Sequence, residues 1–210
     1  MVDIVDSTRI TETLGAERAF ELIEEALKSA VEVIDAHGGH FIEYAGDSVF
    51  ALFGAPVAVE NATFSAGRAA MQILDRLQAR KDGIVARYGI EPRVRIGLAA
   101  GEVLVSQVRF GGQARVNALG SAINLAARLQ SVARANEVWC SEAVADELTG
   151  LAGIEDCGPH QLKGFAAPQR LFRVLRISDT ADSLDMRIAR SPGVFVGRAA
   201  PLAHLTARLQ

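Results

Sequence analysis

The sequence predicts an α/β (α+β) fold in which helices cover a mixed sheet, and three observations support this prediction. Residues 16–36 carry apolar side chains at helical spacing, which predicts an amphipathic helix whose core face contains Phe20, Ile23, Leu27, Ala30, Val31 and Ile34. Residues 40–53 contain two β-rich runs joined at Gly46-Asp47, a pair that favours a tight hairpin. Helical and strand-like runs then alternate to residue 176, as in a sheet with helices on its faces.

Shorter patterns predict the remaining elements. A second long helix is predicted over about 61–87, with breaks at Gly67 and Gly83. Residues 93–108, RVRIGLAAGEVLVSQV, predict a strand pair that turns at Gly101. The later patterns predict a helix in SAINLAARLQSVA (121–133), a strand in EVWCSE (137–142), a helix over 143–149 and a last strand in RLFRVLR (170–176).

Composition excludes several classes of function. The 210 residues carry a net charge of −3, which gives no basic field for nucleic acid or an anionic membrane. Cys140 and Cys157 are far apart and in no C-x-x-C arrangement, so we expect two small core residues, no zinc site and a reducing cytoplasm. The longest apolar stretch, residues 50–59, is well short of the ~20 residues that span a bilayer, and no leader precedes it.

The pattern of apolar and polar residues changes after Arg176. Residues 1–176 are predicted to form one domain. Residues 177–190 are polar and weakly patterned, which favours a linker. Residues 191–210 begin a new apolar pattern that is too short to fold as a domain.

Two aspartates are candidate metal ligands. Asp3 lies in a strand-like start and Asp47 at the predicted hairpin tip, so both carboxylates can meet at one end of the sheet. Such an arrangement suits Mg²⁺, and paired metals can activate an attacking hydroxyl while stabilising a leaving phosphate. For either residue alone, an ordinary turn or capping role is the better interpretation.

Three further groups are candidates for binding a phosphorylated ligand. Asn124 and Arg128 are four apart on a predicted helix and share a face, although such pairs are usually solvated. Lys163 in QLKGF can act as a point charge for phosphate, although a lone lysine is more often a surface residue. Backbone N–H groups at a helix start can hold a polyphosphate, with an ordinary N-cap as the alternative; these residues are Val5, Asp6, Ser7 and Thr8.

Together these motifs resemble the class III adenylate and guanylate cyclases. Five segments occur in that family's order and spacing across about residues 1–175: MVDIVDST, HGGHFIEYAGDSVFALFGAP, RVRIGLAAGEVLV, LGSAINLAARLQ and QLKGF. The resemblance implies the nucleotidyl cyclase fold, with a ferredoxin-like βαββαβ core. It also implies conversion of a nucleoside triphosphate to a 3′,5′-cyclic nucleotide and pyrophosphate, in intracellular signalling.

The resemblance also implies roles for individual residues. Asp3, the carbonyl of Ile4 and Asp47 match the ligands of two divalent cations, Mg²⁺ or Mn²⁺. Asn124 and Arg128 match the residues that orient the ribose and stabilise the pentavalent phosphate, and Lys163 matches a triphosphate contact. In this family the sites lie at a homodimer interface, with the metal ligands from one subunit and the other residues from its partner.

Two positions match the family's base-reading residues. They are Glu43, four residues before Asp47, and Asn117, three before Gly120. An ionised carboxylate only accepts hydrogen bonds, and guanine offers N1–H and N2–H₂ as donors, so Glu43 favours GTP. Asn117 can donate to guanine O6 or accept from adenine N6. An adenylate cyclase with atypical base-reading residues is therefore the alternative.

Three features depart from the family pattern. The chain begins two residues before Asp3, so we expect a truncated first strand. Residues 113–120 read QARVNALG where many bacterial members read RRDYTVIG, which leaves open whether Arg115 replaces a phosphate-facing arginine. SPGVFVGRAAPLAHL resembles the start of a downstream P-loop ATPase module, but no Walker A sequence is present, so that module is absent from this chain.

Two rival functions remain at this point. One is a catalytically weak, cyclase-like regulatory or dimerisation module, and the truncated first strand is its main support. The other is a different two-metal phosphoryl-transfer enzyme with a palm-like core. That enzyme would not explain Asn124, Arg128 and Lys163 together.

Overall fold

The computed structural model describes residues 1–110 and 113–178, and of these, residues 107–110 and 113–115 are described by their backbone only. The elements in chain order are β1 (Val2–Ile4), α1 (Ser7–Leu14), α2 (Ala16–Ala36), β2 (His40–Ala45), β3 (Ser48–Leu52), α3 (Ala62–Tyr88), β4 (Val94–Leu98), β5 (Leu104–Phe110), β6 (Gln113–Leu119), α4 (Ser121–Val132), β7 (Glu137–Ser141), α5 (Glu142–Glu147), β8 (Ala152–His160) and β9 (Gln169–Ile177).

Seven of these strands form one mixed sheet. Their order is β2-β3-β1-β4-β7-β9-β8, while β5 and β6 form a separate two-stranded sheet. The pairing of β4 with β7 is parallel, and β1 is antiparallel to both β3 and β4. The predicted combination of a mixed sheet and covering helices is confirmed.

The two long helices pack against each other and against the sheet. The bounds of α2 are those predicted. Its core face is confirmed at Leu27, Ala30 and Ile34, which are buried, and the prediction is wrong for Phe20, which is 67% exposed. Ion pairs such as Arg80–Glu25 link α2 to α3 at the surface. Each such pair contributes at most about 1 kcal/mol, so burial of the apolar face stabilises the helix pair.

Several predicted details are corrected. Helix α3 runs without a break through Gly67 and Gly83. Strand β4 does not pair with β5, because the chain leaves the main sheet after Leu98 and β5 pairs with β6 instead. Strands β6 and β8 were not predicted. Cys140 is buried as expected, and Cys157 is only partly buried.

The central strand β1 is only three residues long, although its neighbours continue past it. Met1 closes the ladder, because its amino group donates to the Gly97 carbonyl at 3.0 Å. Beyond Met1, a cavity of about 240 Å³ lies between β3 and β4, under α3 and α4, and its lining includes Ala51 and Ala99. The antiparallel register places the backbone groups of these two alanines toward this space.

We expect that about six apolar, β-prone residues added before Met1 will raise both stability and activity. They would pair with β3 and β4, fill the cavity and hold Asp3 more firmly, because a residue near a strand end is subject to fraying. Thermal unfolding should shift upward by at least about 4 °C. An extension of Gly and Ser residues is the control. Equal stability and activity of the apolar-extended and original chains would mean that the sheet needs no residues there.

The described residues form one compact unit that ends at Ser178. Strand β9 extends to Ile177, one residue into the predicted linker. The rest of that linker and the predicted ATPase-like start lie outside the described residues. Within residues 1–110 and 113–178, no helix combines the length and apolar character needed to cross a membrane.

Candidate active site

Asp3 lies at the centre of the sheet, opposite Ser48 on β3 and Arg95 on β4. The residue is 6% exposed. The Ser48 hydroxyl donates to one carboxylate oxygen at 2.7 Å, and the Arg95 guanidinium donates to the other from Nη2 at 2.6 Å and Nε at 3.2 Å. These partners fix the orientation of the carboxylate and balance its charge.

Asp47 lies beside the end of β1 at the tip of the β2–β3 hairpin. The Ile4 N–H donates to the Asp47 carbonyl at 3.1 Å, which places the two predicted metal-binding segments side by side. The Ser7 hydroxyl donates to the Asp47 carboxylate. The segments that carry Asp3, Ile4, Asp47 and Ser7 therefore lie side by side at one end of the strands, a group that we call the aspartate edge. That the two carboxylates share metal ions stays a prediction.

The start of α1 lies at the same edge. The Val5 N–H donates to the Arg93 carbonyl at 2.8 Å, so this amide belongs to the sheet and is not free for the phosphate contact predicted for it. Asp6 adopts a left-handed conformation with φ 57°, and its carboxylate pairs with Arg93 at 3.1 Å. Ser7 and Thr8 form the first turn of α1.

Helix α4, which carries Asn124 and Arg128, packs closely on β4 because Gly97 has no side chain. A Cβ at Gly97 would lie 2.3 Å from the Ala126 carbonyl oxygen and 2.7 Å from the Gln130 nitrogen. No side chain larger than hydrogen fits at that contact. Asn124 is exposed and Arg128 is partly buried, and within the described residues Arg128 makes no ion pair.

Lys163 occupies the apex of a tight turn. The Phe165 N–H donates to the Leu162 carbonyl at 3.1 Å, and Gly164 has φ 91°, the left-handed value that the third position of a type II turn requires. Lys163 itself is exposed, whereas Leu162 is 2% exposed. The turn thus exposes Lys163 to solvent, while the preceding residue, Leu162, packs in the interior.

The two predicted base-reading residues lie on contacting elements. Glu43 is exposed on the edge strand β2, next to a bulge, and faces Phe50 of β3. Asn117 is exposed on β6, opposite Ser106 of β5, and β6 contacts β2. The candidates therefore fall into three groups. They are the aspartate edge (Asp3, Ile4, Asp47 and Ser7), the α4 and Lys163 group (Asn124, Arg128 and Lys163) and the β2–β6 group (Glu43 and Asn117).

Arg95 and Ser48 were not predicted from the sequence. Arg95 lies two residues from both Arg93 and Gly97, so the sequence indicates that the three share one face. It does not indicate what that face contacts, because Arg95 binds Asp3 of β1, which is 92 residues away in the chain. Ser48 directly follows Asp47, so its place in the sequence could have marked it as a site residue more easily than that of Arg95. Among residues 1–110 and 113–178, no three His, Cys, Asp or Glu side chains converge on one point.

A family comparison shows the class of this domain. The model of the adenylate and guanylate cyclase catalytic domain matches residues 1–175. The chain belongs to this family. The described unit is thus a nucleotidyl cyclase catalytic domain, and its aspartate edge and α4 lie within the matched segment.

Relatives and solved structures agree with this assignment. The cyclase domain is 29% identical over 177 residues to adenylate cyclase 1 of Rhizobium meliloti (strain 1021), covering 83% of this chain and 27% of that protein. It superposes on the adenylyl cyclase CyaB of P. aeruginosa with a TM-score of 0.78 at 22% identity, covering 86% and 94% of the two chains. The GTP complex of the RhGC guanylate cyclase domain of Catenaria anguillulae gives a TM-score of 0.75 at 19% identity, covering 84% and 94%.

These comparisons define the fold and the family but not the base. The solved neighbours include an adenylyl and a guanylate cyclase, so the likeness of fold does not distinguish the two activities. The chain spans about a quarter of the length of the Rhizobium relative.

Proposed function

We propose that the domain converts a nucleoside triphosphate, preferably GTP, to the 3′,5′-cyclic nucleotide and pyrophosphate in intracellular signalling, and that it does so as a homodimer. The observation that carries the proposal is the contact between Ile4 N–H and the Asp47 carbonyl. It joins two acidic segments 43 residues apart in the chain into one edge that faces the start of α1.

The residues at this edge fit two divalent cations, Mg²⁺ or Mn²⁺. Asp3, Asp47 and the Ile4 carbonyl would hold them, and Mg²⁺ typically takes one or two carboxylates together with substrate phosphates. A carboxylate offers about four lone-pair sites, so the bonds from Arg95 and Ser48 to Asp3 leave acceptor capacity. Bound cations would supply Lewis acidity for the ribose 3′-hydroxyl and neutralise charge on the phosphates.

The other residues position the substrate and stabilise charge. Asn124 orients the ribose so that its 3′-hydroxyl is in line with the α-phosphate, which converts positioning into rate. Arg128 donates to the oxygens that gain charge as phosphorus becomes pentavalent and pyrophosphate leaves. Lys163 and the amides of residues 6–8 hold the triphosphate tail.

A shared site at a homodimer interface accounts for the separation of the three groups. Within the described residues, no hydrogen bond or ion pair connects the aspartate edge to Asn124, Arg128 or Lys163. The β5–β6 hairpin carries an exposed apolar pair, Leu104 and Leu119, which face each other and are 73% and 67% exposed. Paired apolar side chains exposed to this degree favour burial against a second copy.

One experiment tests the proposed reaction. Purified protein is incubated with Mn²⁺ and either GTP or ATP, and the cyclic product is identified by mass. Cyclic GMP as the main product is the expected result. The absence of any cyclic product from a folded dimer would favour a regulatory or dimerisation module instead.

The base preference gives a separate prediction. Glu43 accepts from guanine N1–H and N2–H₂, and Asn117 donates to O6. ATP would leave the carboxylate facing the adenine N1 lone pair, a mismatch of about 1–3 kcal/mol, or about 5- to 150-fold in kcat/KM. Glu43→Lys should weaken GTP use, and Glu43→Lys with Asn117→Asp should shift preference toward ATP.

Competition assays with equal GTP and ATP measure this preference directly. Glu60→Lys, a charge reversal outside the three groups, is the control for a change of net charge. If the unmodified protein makes cyclic AMP at least as fast as cyclic GMP, the base assignment fails while the cyclase assignment stands. The domain would then be an adenylate cyclase with atypical base-reading residues.

A further inference from the structure

Trp139 is the only tryptophan of the chain, and it packs against α4, the helix that carries Asn124 and Arg128. It is 9% exposed on β7, in an apolar cluster that we call the Trp139 cluster, formed by Leu129, Ala133, Trp139, Leu162 and Leu171, with Ala99, Leu125, Cys157 and Phe165 packed around it. The His160 ring meets the indole edge-on, with centroids 5.4 Å apart.

A carboxylate fixes the orientation of the indole. The Trp139 Nε1–H donates to Glu137 Oε2 at 2.7 Å, and Arg173 Nη1 donates to Glu137 Oε1 at 2.6 Å. The Arg134 N–H also donates to Glu137, at 3.3 Å. Burial raises the pKa of Glu137, but the hydrogen bonds from Trp139 and Arg173 together lower it by more. The pKa therefore lies below its ordinary value, and the carboxylate is charged.

This network reaches both parts of the α4 and Lys163 group. Leu125 and Leu129 of α4 pack in the Trp139 cluster, on the helix that carries Asn124 and Arg128. Arg134 lies two residues past the end of α4, so its bond to Glu137 ties down that end of the helix. Leu162 and Phe165, the two ends of the Lys163 turn, pack in the same cluster.

We propose that Trp139, held by Glu137, is a positioning residue that sets the spacing between Arg128 and Lys163. The inference rests on the proposed function for the roles of those two residues. An aliphatic residue at this strand position would fill the space, but only a ring with a polar edge can be both packed and held in one orientation. A displacement of about 1 Å in such a group can cost about a hundredfold in rate.

Steady-state kinetics of Trp139→Phe and Glu137→Gln separate positioning from packing. Phenylalanine keeps an apolar ring and loses the N–H donor, and glutamine keeps the shape and loses the charge. We expect kcat to fall at least about tenfold in each variant, with KM changed less than about threefold, because transition-state contacts depend most on alignment. Wild-type kcat in a folded Trp139→Phe protein would overturn the inference.

Two matched controls distinguish a loss of positioning from a general loss of stability. Val33→Ala removes buried side-chain volume from α2, where Val33 is 1% exposed, and should lower the unfolding temperature without lowering kcat. Asp156→Asn removes the charge that pairs with Arg170. This ion pair joins β8 to β9 and is not part of the Trp139 network. Equal losses of kcat in these controls would show that Trp139 acts through stability alone.

Fluorescence gives a second readout that does not require turnover. Since Trp139 is the only tryptophan, binding of inorganic triphosphate at Lys163 should change its emission through Leu162 and Phe165. We expect the change in the unmodified protein and its loss in Lys163→Ala. An unresponsive emission at saturating triphosphate contradicts the inference. A response without any cyclic product would instead retain the positioning link and reject the proposed reaction.

Discussion

Asp47→Ala is expected to abolish cyclase activity while the domain stays folded. Asp47 is at a hairpin tip, where it is only half buried and its side chain accepts one hydrogen bond, from Ser7. Loss of a charge-stabilising group at a reacting centre costs at least about a hundredfold in kcat. The rate of cyclic nucleotide formation and Mn²⁺ binding by calorimetry both measure the effect, and circular dichroism checks the fold.

Asp3 needs a gentler substitution than Asp47. Asp3 is a buried strand residue, because it is 6% exposed and its carboxylate pairs with Arg95. Asp3→Ala would leave the partly buried Arg95 guanidinium without its carboxylate partner and so weaken the sheet, which makes Asp3→Asn the cleaner test of the same loss of activity. Asp35→Ala, an exposed acid at the end of α2, is the control. Near-normal turnover in folded Asp47→Ala protein would reject the two-metal assignment.

Mixing inactive Asp47→Ala with inactive Asn124→Ala is expected to restore activity. If each site takes its aspartates from one subunit and Asn124 from the other, a heterodimer contains one intact site. Random exchange makes half of the dimers mixed, so activity should recover to about a quarter of the unmodified value. The rate of cyclic product formation, measured before and after mixing, reports the recovery.

The matched control for this experiment is a mixture of Asn124→Ala with Arg128→Ala. Both residues lie on α4, so each site of that heterodimer lacks one of them and no recovery is expected. Differently tagged subunits and a pull-down establish that exchange has occurred. Exchange without recovery in the first mixture would mean that each subunit builds its own site.

The sequence predicted those elements whose pattern is local. Helix α2 was predicted at its observed bounds, because its apolar side chains repeat over 21 residues and a glycine-rich stop follows. The β2–β3 hairpin was predicted because Gly46 and Asp47 separate two β-rich runs. Helix α4 was predicted for similar reasons, and its family motif placed Asn124 and Arg128 on it.

Strand partners and long-range side-chain contacts could not be predicted in this way. A strand pattern does not specify its neighbour, so β5 was assigned to β4, which precedes it, whereas it pairs with β6. The bond between Arg95 and Asp3 joins residues 92 apart in the chain. The network around Glu137 likewise depends on the placement of β9 beside β7, which brings Arg173 opposite Trp139.

The position of Glu43 has an evolutionary consequence. It projects from the outermost strand of the sheet, beside a bulge, with its side chain in solvent. Substitutions at such surface sites usually change folding free energy by less than about 0.5 kcal/mol. If this residue selects the base, lineages of this domain can lose or change their nucleotide preference through mutations that folding stability does not oppose, whereas the deeply buried Asp3 allows no comparable freedom.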